Sequence, residues 1–393
     1  MGLRGRGLTL RWLALAATFA APPNGVPLLA QASAVEWPRV GGTVPSRRFT
    51  VGGAGLSIGA GSAPGMPLLS GVIGATRLVN GGIVIGDASA HRVLFFDSAG
   101  RFVQEIGRLG DGPGEFRFPR WLGQCGTDTV AVFDAIHNSI TYLGPAGSVI
   151  RSVPLPSVVS FDRALGCTNT GRLYFLLNRR RTRVGPGERP AVPTAVIRIS
   201  PLVPMDTLFR GGVQEYYVAQ ASSAYSEVPL GRATLAAVGP TMLFVTENVD
   251  GRTRVYDPSG ALTADFTLDI PRRRVSTRDW AIAKRARIEA EPLPHVREIL
   301  TRVLSELRQP STFPRIDQIQ ADTDDRLWVR TFNNFDQDIA TWLVVSRTGT
   351  VLAAVSSPRN LQILEIGRGF LLGLARDSEG VERVELYSVP ALP

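Results

Sequence analysis

Hydrophobic residues along the chain fall into short groups that either alternate with polar residues or run unbroken for four or five positions. Both spacings predict strands, because the apolar stripe of a helix returns every three or four residues. The groups recur as a unit: a short apolar strand, a polar turn, a second apolar strand, and a turn carrying glycine. Six copies can be read, at residues 82–100, 129–147, 172–201, 242–260, 326–349 and 369–389. Further strands follow at 102–106, 149–153, 262–268 and 351–355, and another precedes the second copy at 121–123. Each copy is thus about four meandering strands, which is one blade of a propeller. Wider gaps in the third to fifth copies predict loop insertions.

The two ends predict how the ring closes. The sixth copy stops at Pro393 without an outer strand. Near the N-terminus, Ser57-Ile58-Gly59 leads through Gly61 to Pro64-Gly65, as Glu105-Ile106-Gly107 leads through Gly110 to Pro113-Gly114. Residues 48–58 are therefore expected to form an outer strand that completes the sixth blade and removes a free sheet edge. One stretch departs from the repeat. Between 277 and 308, Trp280, Ile282, Ala283 and Ala286, then Val296, Ile299, Leu300, Val303, Leu304 and Leu307, recur at helical spacing. Ser276 or Thr277 is the expected cap, and Pro292 and Pro294 separate two helices. The expected fold is all-β: a six-bladed β-propeller of four-stranded antiparallel blades, its N-terminal strand in the last blade, with a two-helix insertion at about 277–308.

Composition agrees with many short strands joined by tight turns: 41 glycines, 28 prolines and a hydrophobic content of 44% in 393 residues. Lys284 is the one lysine, so 42 of the 43 basic residues are arginine, and the net charge is +9. The arginine clusters, Arg179, Arg180, Arg181 and Arg183, then Arg272, Arg273 and Arg274, read as solvated loops or an anion site. No aromatic residues interleave with them, so nucleic acid is not an expected partner. Arg4, Arg6 and Arg11, the apolar run 12–21 and the small-residue patterns Ala30-Gln31-Ala32 and Ala32-Ser33-Ala34 form a secretory signal of bacterial type. The apolar run is too short to span a bilayer. The expected organisation is a signal peptide over 1–34, cleaved after 32 or 34, and one propeller domain over 35–393. The mature chain is expected in the periplasm or outside the cell, as a monomer without stable membrane insertion.

Asp87, His91-Arg92-Val93, Phe96-Asp97, Gly100, Gly107 and the turn from Gly110 to Phe116, ending at Pro119, resemble one NHL-type propeller repeat. Asp134, His137-Asn138-Ser139-Ile140 and Gly147 hold the corresponding places in the next copy, and beyond it only the hydrophobic pattern persists. The whole resembles the exported bacterial six-bladed propellers of this NHL-like type. The resemblance implies the fold, and fold alone does not fix function.

Candidate chemistry is sparse. His91 and His137 stand at matching places in adjacent copies, and His295 lies in the helical insertion without an evident partner. Asp87 and Asp134 end equivalent strands, where a carboxylate accepts turn N–H groups or points into a central funnel. Asn178, Asn248 and Asn333 stand at corresponding positions, and Arg180 is in the loop after Asn178. The run from Asp322 to Asp325 reads as an acidic turn or a cation loop. No phosphate loop, nucleophile elbow or metal-ligand spacing occurs, so no metal or other cofactor is expected. Cys125 and Cys167 precede the central hairpins of their blades and are either a disulfide or two buried thiols. The first expectation is a non-enzymatic binding or scaffold propeller of the cell envelope, whose partner is a protein or an envelope glycan. It would use one face bearing Asp87, His91, Asp134, His137, Asn178, Arg180, Asn248 and Asn333. The alternative, which propellers of similar outline suggest, is a metal-dependent lactonase- or lyase-like enzyme with a site in the central funnel.

Overall fold

The computed structural model describes residues 35–59, 65–155, 163–178, 185–200, 205–220, 225–291, 293–332 and 338–392. The expected signal segment, Arg180 and Asn333 lie outside the described residues. Six sheets account for the repeat. Strands β1 (Arg48–Thr50) and β2 (Ala54–Gly59) come first. The first blade is β3 (Val72–Arg77), β4 (Ile83–Asp87), β5 (Arg92–Phe96) and β6 (Phe102–Ile106). The second is β7 (Pro119–Gln124), β8 (Val130–Asp134), β9 (Ser139–Leu143) and β10 (Val149–Pro154). The third is β11 (Arg163–Cys167), β12 (Leu173–Asn178), β13 (Ala191–Ile199) and β14 (Asp206–Val218), extended by β15 (Tyr225–Glu227). The fourth is β16 (Thr234–Val238), β17 (Leu243–Glu247), β18 (Arg252–Tyr256) and β19 (Leu262–Thr267). Helices α1 (Thr277–Glu289) and α2 (Pro294–Ser305) precede the fifth blade, β20 (Ile316–Ala321), β21 (Leu327–Thr331), β22 (Ile339–Val345) and β23 (Val351–Pro358). The sixth is β24 (Gln362–Gly367), β25 (Phe370–Arg376) and β26 (Glu382–Ser388).

Closure uses two N-terminal strands where the sequence suggested one. β2 pairs antiparallel with β26 and is the missing fourth strand of the sixth blade. β1 pairs parallel with β23 and adds a fifth strand to the preceding blade. Gly52 and Gly53, between the two strands, accommodate the passage from one blade to the next.

The unbroken apolar runs have a plain cause. A blade's second strand is covered on both faces, so successive side chains enter different inter-blade cores. Ile83 and Ile85 pack with Leu372 and Leu374 of the sixth blade, whereas Val84 packs with Val130 and Val132 of the second. Ala131 and Phe133 then meet Leu173 and Phe175, and Tyr174 and Leu176 meet Leu243 and Val245. Phe244 turns toward Leu327 and Val329, and Trp328 toward Leu371. Six such cores hold the ring. The outer strands are solvated on much of their length, and β10 is exposed throughout.

The helical pair has its own core. Trp280, Ala283, Val303 and Leu304 pack with Tyr217, Ala219 and Val228 from the extended third blade and with Phe313. Ser276 caps α1 in a capping box with Asp279, and Pro294 opens α2. The Tyr217 hydroxyl donates to Glu306 at 2.8 Å. The pair lies in the connection from β19 to β20 and so on the face where the inner strands begin. A disulfide joins Cys125, just after β7, to Cys167 at the end of β11, with Cα atoms 5.0 Å apart. It ties the inner strands of the second and third blades.

Candidate functional site

The first strand of each blade lines the axis of the ring. Each begins at the face that carries the β4–β5 and β8–β9 hairpins, because Val72 pairs with Asp87 and Pro119 with Asp134. That hairpin face holds most of the residues singled out from the sequence, and the side chains of Asp87, Asp134, His137, Asn178 and Asn248 are already occupied there, whereas His91 Nδ1 is buried without a hydrogen-bond partner among the described residues. Asp134 accepts backbone N–H groups from Arg117 (2.6 Å), Ile136 (2.9 Å), His137 (3.1 Å) and Phe118 (3.3 Å). Burial acts to raise its pKa, but the converging N–H donors outweigh it and hold the carboxyl below its ordinary range. Asp87, fully buried, accepts from Ala90 N–H at 3.4 Å and lies 3.5 Å from both Ser70 Oγ and Arg92. Asn248 accepts from Ala233 N–H and donates to Gly231 O. Asn178 accepts from the Thr194 hydroxyl at 2.9 Å and donates to the Tyr216 hydroxyl. Carboxylate and carboxamide therefore serve the same end, pinning a hairpin or an inner strand within the blade.

The two histidines are not equivalent. The turn residue in the left-handed region is His91 in the first blade (φ 54°) and Asn138 in the second (φ 51°). His91 thus corresponds to Asn138, and His137 is one residue earlier in its turn. Asparagine tolerates that backbone well, which explains the offset. The His137 ring is held at both nitrogens, with Nε2 2.6 Å from Asp111 and Nδ1 3.3 Å from Asp134. Arg117 and His137 together hold Asp111 well below the usual carboxylate range. His295 is exposed in α2.

The acidic turn is likewise occupied. Asp322 accepts from Arg326 (2.7 Å) and from the Trp328 indole (3.0 Å). Asp324 pairs with Arg368 and Arg326, and Asp325 with Arg347. Among the described residues, no three His, Cys, Asp or Glu side chains converge on a point that suits a metal ion.

A different place in the ring has free polar capacity. A cavity of about 480 Å³ runs along the axis, lined by the inner strands of all six blades and by the turns after them. Its walls come mainly from the later halves of those strands and from 124–126, 167–169, 239–240 and 321–323. It therefore lies toward the face opposite the hairpins and the helical pair. Leu122, Val238 and Ile319 give the walls an apolar component, and Gln124, Asn169, Gln318 and Gln320 a neutral polar one. Glu365 is the carboxylate with spare capacity in this wall.

Inner-strand bulges set this lining. Pairing between the first and second strands skips one residue in five of the six blades. The residue that resumes the ladder is Gly74, Gly123 and Gly166 in the first three blades, but Gln318 in the fifth and Glu365 in the sixth. A bulge re-aims the side chain beside it. Glu365 takes 2.6 Å hydrogen bonds on separate oxygens, from the Thr76 hydroxyl and from Arg77 N–H. Protein surrounds it, although it touches the channel space. Burial pushes its carboxyl up to about 7 against the lowering influence of those two donors. Among the described residues no arginine or lysine nitrogen lies within ion-pair distance of it. Gln320 donates from Nε2 to Leu364 O at 3.0 Å, beside Glu365, and its Oε1 is buried without a hydrogen-bond partner. The sequence signal for this site was a single acidic residue inside a mostly apolar inner-strand segment, 361–366.

Residues 68–123 match the model of a family described as a 6-bladed beta-propeller. No curated protein matches the chain in sequence. Several solved structures are similar at low identity. One is a protein described as exported from Bacteroides fragilis, 12% identical over 87% of this chain and 99% of that one, with a TM-score of 0.47. Virginiamycin B lyase from Staphylococcus aureus is 14% identical over 82% of this chain and 84% of that one, with a TM-score of 0.38. A calcium-binding protein, regucalcin, from Agrobacterium tumefaciens is 10% identical over 88% of this chain and 98% of that one, with a TM-score of 0.42. The chain is a six-bladed β-propeller, and over residues 68–123 it is similar in sequence to that propeller family.

Proposed function

We propose that this protein is an exported binding propeller that holds a small ligand, or a protruding part of an envelope component, in its central channel. The observation that carries the reading is the axial cavity with amide and carboxylate acceptors in its wall. Its volume falls in the range of small-molecule sites. Asp87, Asp134, His137, Asn178 and Asn248 on the hairpin face support the same reading from the other side, because their polar atoms bond to neighbouring groups of the fold. A lactonase- or lyase-like metal site would need carboxylates, amides or histidines with free lone pairs around one cation. Asp87, Asp134, Asn178 and Asn248 direct theirs to neighbouring groups.

Thermal unfolding separates the two readings. A ligand of the native state raises the melting temperature by mass action. Melting would be followed with EDTA, with Ca²⁺, Mg²⁺, Mn²⁺ and Zn²⁺ in turn, and with soluble peptidoglycan fragments. The binding reading expects a saturable rise with a fragment, unchanged by EDTA. A saturable rise with one cation alone, reversed by EDTA, would overturn it in favour of the metal-dependent enzyme.

A further inference from the structure

The channel reading leaves the ligand's chemistry open, and one acceptor narrows it. A carboxylate offers about four lone-pair positions, and the donors on Glu365 fill two of them. Gln320 Nε2 donates to Leu364 O, and its Oε1 is buried without a partner among the described residues. The wall thus presents one ionisable acceptor with spare capacity. A neutral hydroxyl would satisfy the lone pairs but leave the ionised carboxylate without a close ion-pair partner, since Arg77 acts on it only from beyond ion-pair distance. A guanidinium prefers both oxygens of a carboxylate side by side. Here each oxygen already takes one donor. An ammonium is a compact point charge with three rotatable donors.

Resting on the channel reading, we infer that the ligand carries a primary ammonium group, for which Glu365 is the counter-ion. The apolar surfaces of Leu122, Val238 and Ile319 then take the ligand's carbon skeleton. A protein with 43 basic and 34 acidic residues repels cations over much of its surface. Discrimination for an amine therefore has to come from an interior acceptor of this kind.

Calorimetric titration tests this with two amines, n-butylammonium and glucosamine, against their neutral counterparts, n-butanol and glucose. Each is titrated into the wild-type protein, into Glu365→Gln and into Ala236→Trp, whose bulk fills the channel. The expected result is binding of an amine in preference to its counterpart, weakened at least tenfold in Glu365→Gln and lost in Ala236→Trp. Glutamine keeps the size and accepting oxygen of glutamate, so its circular dichroism should match wild type. Equal binding of amine and neutral partner, lost only in Ala236→Trp, would overturn the ammonium inference and leave the channel reading standing. Amine binding that survives in Glu365→Gln would likewise overturn the inference. No binding of any probe to wild type would overturn the inference, and the peptidoglycan-fragment melts would then decide the channel reading.

Discussion

Glu365 concentrates the chemistry of this molecule in one side chain. Its carboxyl is raised from 4.5 to about 7, chiefly by burial. The folded chain therefore keeps a proton that the unfolded chain has lost. Stability linked to this group is fully present below about 4.5, declines as pH rises, and is gone above about 7. The change is on the order of 3 kcal/mol. Glu365→Gln removes the titration. The variant should thus gain on wild type by that amount between pH 4.5 and pH 8 in urea unfolding, and parallel pH profiles would show an ordinary carboxylate. Several of the residues most visible in the sequence hold turns together, for a physical reason. A position that recurs in every repeat is first a position of the fold, and Asp134 meets a repeating need for a turn acceptor. Glu365 was hard to see because it breaks the repeat, and because its burial depends on five other inner strands distant in sequence.

At the scale of elements, the blades were legible because each second strand is buried on both faces and leaves an unbroken apolar run. The helices were legible from their 3.6-residue spacing and the Ser276 cap. The inner-strand bulges were not, since a skipped residue changes the pairing without changing composition. The division of the N-terminal segment into β1 and β2 was hidden for the same reason: both strands are short, and only the ring decides which edge each meets. Close approach between elements is also a matter of the assembled ring. The Trp121 indole sits in a notch formed by Gly74 and Gly86. A Cβ on Gly74 would lie 2.1 Å from the Trp121 ring. Gly74→Ala should therefore push Trp121 out of place and cost about 1–3 kcal/mol. Chemical denaturation measures this, and the double variant with Trp121→Ala should recover part of the loss. A neutral Gly74→Ala would mean that the two blades do not meet as described.

At the scale of the whole molecule, the ring is polarised. The hairpin face carries the helical brace and the hydrogen-bonded turns. The axial cavity lies toward the other face, where the disulfide between Cys125 and Cys167 fixes two of its inner strands. On the binding reading proposed above, rigidity would serve recognition, because a closed ring presents its lining without reorganisation. The central claim is that ligand recognition belongs to the channel and not to the hairpin face. The measurement that tests it most directly is the melting-temperature rise produced by glucosamine in wild type, His137→Ala and Ala236→Trp. The account predicts a rise in wild type, a rise of the same size in His137→Ala, and none in Ala236→Trp. A rise that persists in Ala236→Trp, or that disappears in His137→Ala, would place recognition on the hairpin face and contradict it.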